Sequence, residues 1–179
     1  MKIIQILIFW LSLCAGIYPT DLWAEIEIEN VEYKIKAGYL FNFTKFITWP
    51  SDNSPSFNIC IQGSDPFGEL LNPIEQMTAL GRPIRLLRGS KISADEHCHI
   101  IFRHTATNSA LTKGSLLVND IPPEESSKMS AEANRMIGFI NRQGKIKLQI
   151  NTNNLQQAGL KVSAKLLEVA ELVGDNEHE

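Results

Sequence analysis

The sequence predicts an α/β fold: a single three-layer domain with a mixed sheet of about five to six strands, helices on both faces, and a C-terminal hairpin and helix. Three observations predict it. Short apolar runs alternate with helix-length segments between Phe57 and Val118, the spacing of parallel strands joined by crossovers. Met136–Asn141 and Lys145–Asn151 flank the tight Arg142-Gln143-Gly144 turn, which reads as a hairpin. The aromatic stretch KAGYLFNFTKFITWP, Lys36 to Pro50, carries its apolar residues at the helical period.

The first 24 residues stand apart from the domain. Met1-Lys2 is a short basic start, Ile3 to Leu13 is apolar, and Leu22-Trp23-Ala24 ends on a small residue. That order is a secretory signal peptide, with cleavage expected after Ala24 and no membrane insertion of the mature chain, residues 25–173 plus the acidic tail 174–179. Lipidation at Cys14 is the competing reading, but Leu13 sits where such a site needs a small residue. The formal net charge is −3, and no run of Lys and Arg could neutralise a phosphate backbone, so nucleic acid is not an expected partner.

Once Cys14 leaves with the leader, Cys60 and Cys98 are the cysteines that remain. Two thiols in an oxidising compartment predict one disulfide, expected to stabilise the domain by about 4 kcal/mol on the chain-entropy argument.

In chain order, the aromatic helix is expected to end at Trp49-Pro50, because a residue preceding proline is pushed out of the helical region. Ile35, Tyr39, Leu40, Phe43, Phe46 and Ile47 form its expected core face. Phe41, Thr44, Lys45 and Thr48 form the opposite side and are a candidate interface. Phe57–Gln62 reads as a strand. Gly63-Ser64-Asp65-Pro66 reads as a strand exit and helix cap that could also hold an anion, and Phe67–Leu80 as the helix it starts. Ile84–Leu87, His99–Phe102 and Leu116–Val118 are further strands, with a short helix near Ala110. Asn153 and Gln156 resemble a capping box opening a final helix whose stripe is Leu155, Gly159, Val162, Leu166, Val169 and Val173.

Chemistry-bearing clusters are few. On a strand, His97 and His99 would share a face with Cys98 on the other, but a two-histidine metal site needs further ligands, and no metal or other cofactor is expected there. His104 is isolated. No G-x-S-x-G, H-E-x-x-H or G-x-x-x-x-G-K pattern occurs, so no catalytic residues are assigned and an enzyme is not expected.

The segment VEYKIKAGYLFNFTKFITWP, followed in order by FNICIQGSDPFGELL, CHIIF, MIGFI, IKLQIN and AGLKVSAKLLEVA, resembles the YfiR-like periplasmic proteins from Val31 to about Val173. The resemblance implies a periplasmic α/β regulator, often a homodimer, that holds down a membrane-bound diguanylate cyclase through its periplasmic portion and so limits cyclic di-GMP. It also implies paired cysteines in the segments that hold Cys60 and Cys98. The chain departs from the pattern at Asn134-Arg135, where a glycine pair is usual, at Val162-Ser163-Ala164-Lys165, and in lacking a second cysteine pair. Two other readings remain beside it: a periplasmic small-ligand sensor feeding a histidine kinase or similar receptor, and an unrecognised periplasmic enzyme.

Overall fold

The computed structural model describes residues 21–93, 95–104, 112–121 and 135–173. The expected leader up to residue 20 with Cys14, the helix near Ala110, Asn134 and the acidic tail lie outside them. The chain divides into residues 1–31 and residues 32–179. The first unit contributes the opening turns of α1 (Asp21–Phe46). The sheet and its core lie in the second.

After α1 come β1 (Ile47–Thr48), β2 (Phe57–Gln62), a 3-10 turn at Gly68–Leu71, α2 (Asn72–Glu75), β3 (Thr78–Ala79) and β4 (Arg82–Gly89). Then follow β5 (Ile100–Arg103), β6 (Leu116–Ile121), β7 (Ile137–Arg142), β8 (Lys145–Asn151), α3 (Thr152–Gln157), β9 (Lys161–Val162), α4 (Ala164–Leu167) and β10 (Ala170–Val173). The main sheet has eight strands in the order β10-β8-β7-β6-β5-β2-β4-β3, and β1 pairs with β9 in a separate two-stranded sheet. β4, β2, β5, β6 and β7 run parallel, whereas β7–β8 and β3–β4 are antiparallel. The domain is thus α/β with a mixed sheet and helices on both faces. The expected five to six strands undercount it, because β3 and β10 are short and flanked by turns.

Burial explains the centre of the sheet. β2 is buried from Phe57 to Ile61 on both of its faces, as a parallel strand covered from two sides must be. α1 covers one face with Tyr33, Ala37, Leu40, Phe43 and Ile47, all buried. Phe43 stacks on Phe139 at 6.1 Å between centroids, and Tyr33 meets Phe67 edge-on at 5.4 Å. Each such side chain contributes about 1.5–3 kcal/mol by leaving water.

The structure corrects the sequence reading at three elements. Ile35, expected on the core face, is 45% exposed, and the buried stripe passes through Lys36 and Thr44 instead. The expected helix Phe67–Leu80 is a 3-10 turn and one turn of α-helix that gives way to β3. The chain then reverses at Leu80 and Gly81, both at positive φ. The expected C-terminal helix is broken into α3, β9, α4 and β10. Gly159, at φ 76, ends α3 in the left-handed conformation that closes helices instead of packing within one. Its cap is Asn151, whose side chain accepts from the Asn154 N–H, not Asn153. The β7–β8 hairpin stands as expected, turning at Gln143 and Gly144.

Candidate functional site

The five parallel strands give the sheet two chemically different edges. At the amino edge, where β2, β4 and β5 begin, the disulfide joins Cys60 in β2 to Cys98 ahead of β5, with Cα atoms 5.8 Å apart. Beside it His99 is fully buried and stacks on Phe57 at 4.4 Å. The Asn58 N–H donates to His99 Nδ1 at 3.0 Å. Nδ1 is therefore the unprotonated nitrogen, and Nε2–H donates to Asp52 Oδ2 at 3.1 Å. Arg82 Nη1 holds the other Asp52 oxygen at 2.6 Å, and the Trp49 indole donates to the His99 carbonyl.

These contacts set the charges. Burial pushes the His99 pKa down to about 4, against partial opposition from the Asp52 hydrogen bond. Burial acts to raise the Asp52 pKa, but hydrogen bonds from Arg82, Ser54 and His99 outweigh it and hold the carboxyl well below the usual carboxylate range. A neutral imidazole, a carboxylate and a guanidinium thus latch the loop after α1 to the starts of β4 and β5.

His97 and His99 do face the same way, with rings 4.6 Å apart, and the structure adds the third group the sequence concealed: potential ligand atoms of Asp52, His97 and His99 lie within 4.8 Å of one another. The hydrogen bonding does not suit a metal. Ligation through His99 Nε2 would move its proton to Nδ1, against the Asn58 N–H.

At the carboxyl edge the charges are denser. Lys36, only 3% exposed, places its ammonium 2.5 Å from Glu32 Oε1 and 2.8 Å from Asp120 Oδ1, with the Tyr33 ring 4.3 Å from the ammonium. A buried ammonium is costly unless paired in this way. Asp120 Oδ2 also accepts from the Tyr33 hydroxyl at 3.0 Å and lies 3.1 Å from His104 Nδ1. Asn141 at the end of β7 donates to Glu32 Oε2 at 2.7 Å. One network therefore ties α1 to the ends of β5, β6 and β7. On the neighbouring strand pair, Arg103 Nε donates to Gln62 Oε1 at 2.7 Å, and burial lowers the Arg103 pKa. The sequence reading missed Lys36, Asp120 and Arg103. The legible signal was Glu32 and Lys36 at i,i+4, with the lysine in register with the apolar residues of the stripe.

Of the expected interface residues, Lys45 and Thr48 are exposed. Phe41 is half-buried, packed on the core with the Lys45 ammonium 4.3 Å above its ring. Thr44 is 5% exposed and donates its hydroxyl to the Phe41 carbonyl, so it belongs to the buried side. Asp65 caps the turn after β2, accepting from the N–H groups of Phe67 and Gly68, as the cap reading of that segment expects. No described helix is long and apolar enough to cross a membrane.

The family pattern described as YfiR/HmsC-like matches residues 33–171, which takes in α1 from Tyr33, both sheet edges and the hairpin. No curated protein matches the chain significantly.

Proposed function

The chain belongs to the YfiR/HmsC-like family, and from that premise we propose that it is a periplasmic regulatory protein that represses an inner-membrane diguanylate cyclase by direct contact. Such repression limits cyclic di-GMP signalling and needs no turnover. The family match across most of the chain carries this reading. The disulfide supports it, being of a kind that persists in an oxidising compartment.

The outward surface of α1 and β1 is the proposed contact with the cyclase or with a second copy of the chain. Lys45, Thr48 and the open half of Phe41 lie there, beside the exposed Ile35. An aromatic held flat under a lysine offers both apolar area and charge to a partner.

Cross-linking in intact cells, purification of the tagged protein from membranes and mass spectrometry test the proposal. Recovery of a membrane protein with a cytoplasmic diguanylate cyclase domain is expected. Recovery of a histidine kinase or similar receptor in its place would favour the small-ligand sensor.

A further inference from the structure

We infer that the carboxyl edge between β2 and β5 is a binding site for a small carboxylate- or phosphate-bearing anion, with His104 as the contact residue and Asp120 positioning it. The inference goes beyond the regulator reading and does not rest on it.

Strand order locates the site. The chain passes from β2 to β4 on one side and then returns to β5 on the other. In open α/β sheets such a reversal leaves a crevice outside the carboxyl ends of the two strands that flank it. Here those ends are Gln62 and Arg103, which are in register. The next residue after Gln62 is Gly63, at φ 88, where an added Cβ would meet nothing within 4 Å. The backbone is open to an approaching group at the place where the topology predicts one.

The side chains supply the chemistry. The His104 side chain is 46% exposed, yet its Nδ1 is fixed by Asp120, which is 12% exposed. A carboxylate can only accept, so Nδ1 carries a proton and Nε2 is the nitrogen left to meet a ligand. Tyr33, Lys36 and Glu32 from α1 and Asn141 from β7 fix the Asp120 carboxylate in turn. Around the crevice, Lys36, Arg88 and Arg103 balance Glu32, Asp120 and Asp65, so an imidazolium at His104 adds one positive charge that a bound anion would compensate. Binding therefore takes up a proton at His104 Nε2, which then donates to the anion as a charge-assisted hydrogen bond.

Titration calorimetry of the mature protein with inorganic phosphate and, separately, with succinate tests this in two buffers of different ionisation enthalpy. The expected result is one site per chain for at least one probe, with net proton uptake and an affinity that falls as pH rises past the imidazole range. Saturation by succinate alone would identify a carboxylate ligand and by phosphate alone a phosphorylated one. His104→Gln and Asp120→Asn should each weaken binding about tenfold or more, whereas His97→Ala, at the other edge, should not change it. Circular dichroism of each variant separates loss of the site from loss of the fold. No saturable binding of either probe by the wild type, or binding that His104→Gln leaves unchanged in a folded protein, would overturn the inference.

Discussion

Lys36 Nζ sits 2.8 Å from Asp120 Oδ1, an ammonium from the middle of α1 set beside a carboxylate at the end of β6 in an almost water-free contact. The pair joins the helix to the sheet and, through the second oxygen of Asp120, orients His104. Replacing Lys36 by alanine leaves Glu32 and Asp120 facing each other without a counter-charge. The expected loss is about 3 kcal/mol in urea unfolding, in the range found when one partner of a buried pair is removed. A loss below about 1 kcal/mol would mean that water compensates the carboxylates and the pair is no anchor.

At the amino edge the prediction concerns pH. The folded-state pKa of His99 is about 4, below its unfolded value near 6.5. The unfolded chain thus binds a proton that the folded chain refuses, and stability falls as pH drops through this window. It is complete above about pH 6.5 and the contribution is lost once pH passes about 4. Asp52, whose pKa is also lowered, adds a further loss at more acidic pH. Denaturation midpoints of the wild type should decline between pH 7 and pH 4. His99→Gln, less stable throughout, should show a flatter profile there.

The Cys60–Cys98 bridge closes a separation of 38 residues. Its removal by the paired Cys60→Ala and Cys98→Ala substitutions is expected to cost about 3–4 kcal/mol on the loop-entropy argument. Thermal unfolding with and without reductant measures it. Non-reducing peptide maps of protein isolated from its cell envelope should show the linked pair.

Gly138 tests the packing between β6 and β7. A Cβ there would lie 2.0 Å from Ile121 Cδ1 and 2.7 Å from its Cγ1, and Ile121 is itself buried. Gly138→Ala should destabilise by about 1–3 kcal/mol through overpacking. Adding Ile121→Val, which deletes Cδ1, should recover part of that loss; no recovery would place the strain in the backbone.

The parallel sheet and hairpin were legible in the sequence because continuous apolar runs and a tight polar turn leave few alternatives over Phe57–Gln62 or Ile137–Asn151. The helix register was not. Ranking residues by apolarity turns Ile35 inward and Lys36 outward, whereas carboxylates distant in sequence make the lysine a core residue. Nor was the turn at Leu80, since a leucine in the left-handed region contradicts the local preference and is imposed by the β3–β4 pairing. The metal-like trio and the carboxyl-edge network share this character. Each is completed by a single carboxylate, Asp52 or Asp120, that only the folded sheet brings to its histidine.

The outward side of α1 offers a cleaner test of partner binding than Phe41 itself. Phe41 packs on the core, so Phe41→Ala should lower the melting temperature as well as any association. Lys45→Glu and Thr48→Arg alter exposed positions and should change folding stability by less than about 0.5 kcal/mol. Reduced co-purification of the membrane partner at unchanged melting temperature is the expected outcome.

Repression by contact is tested most directly by the diguanylate cyclase activity of membranes holding the co-purified partner, measured with the purified protein added back. The wild type should lower cyclic di-GMP synthesis in a saturable way, and the Lys45→Glu/Thr48→Arg double variant, equally folded, should not. Unchanged synthesis at saturating wild-type protein would contradict the account.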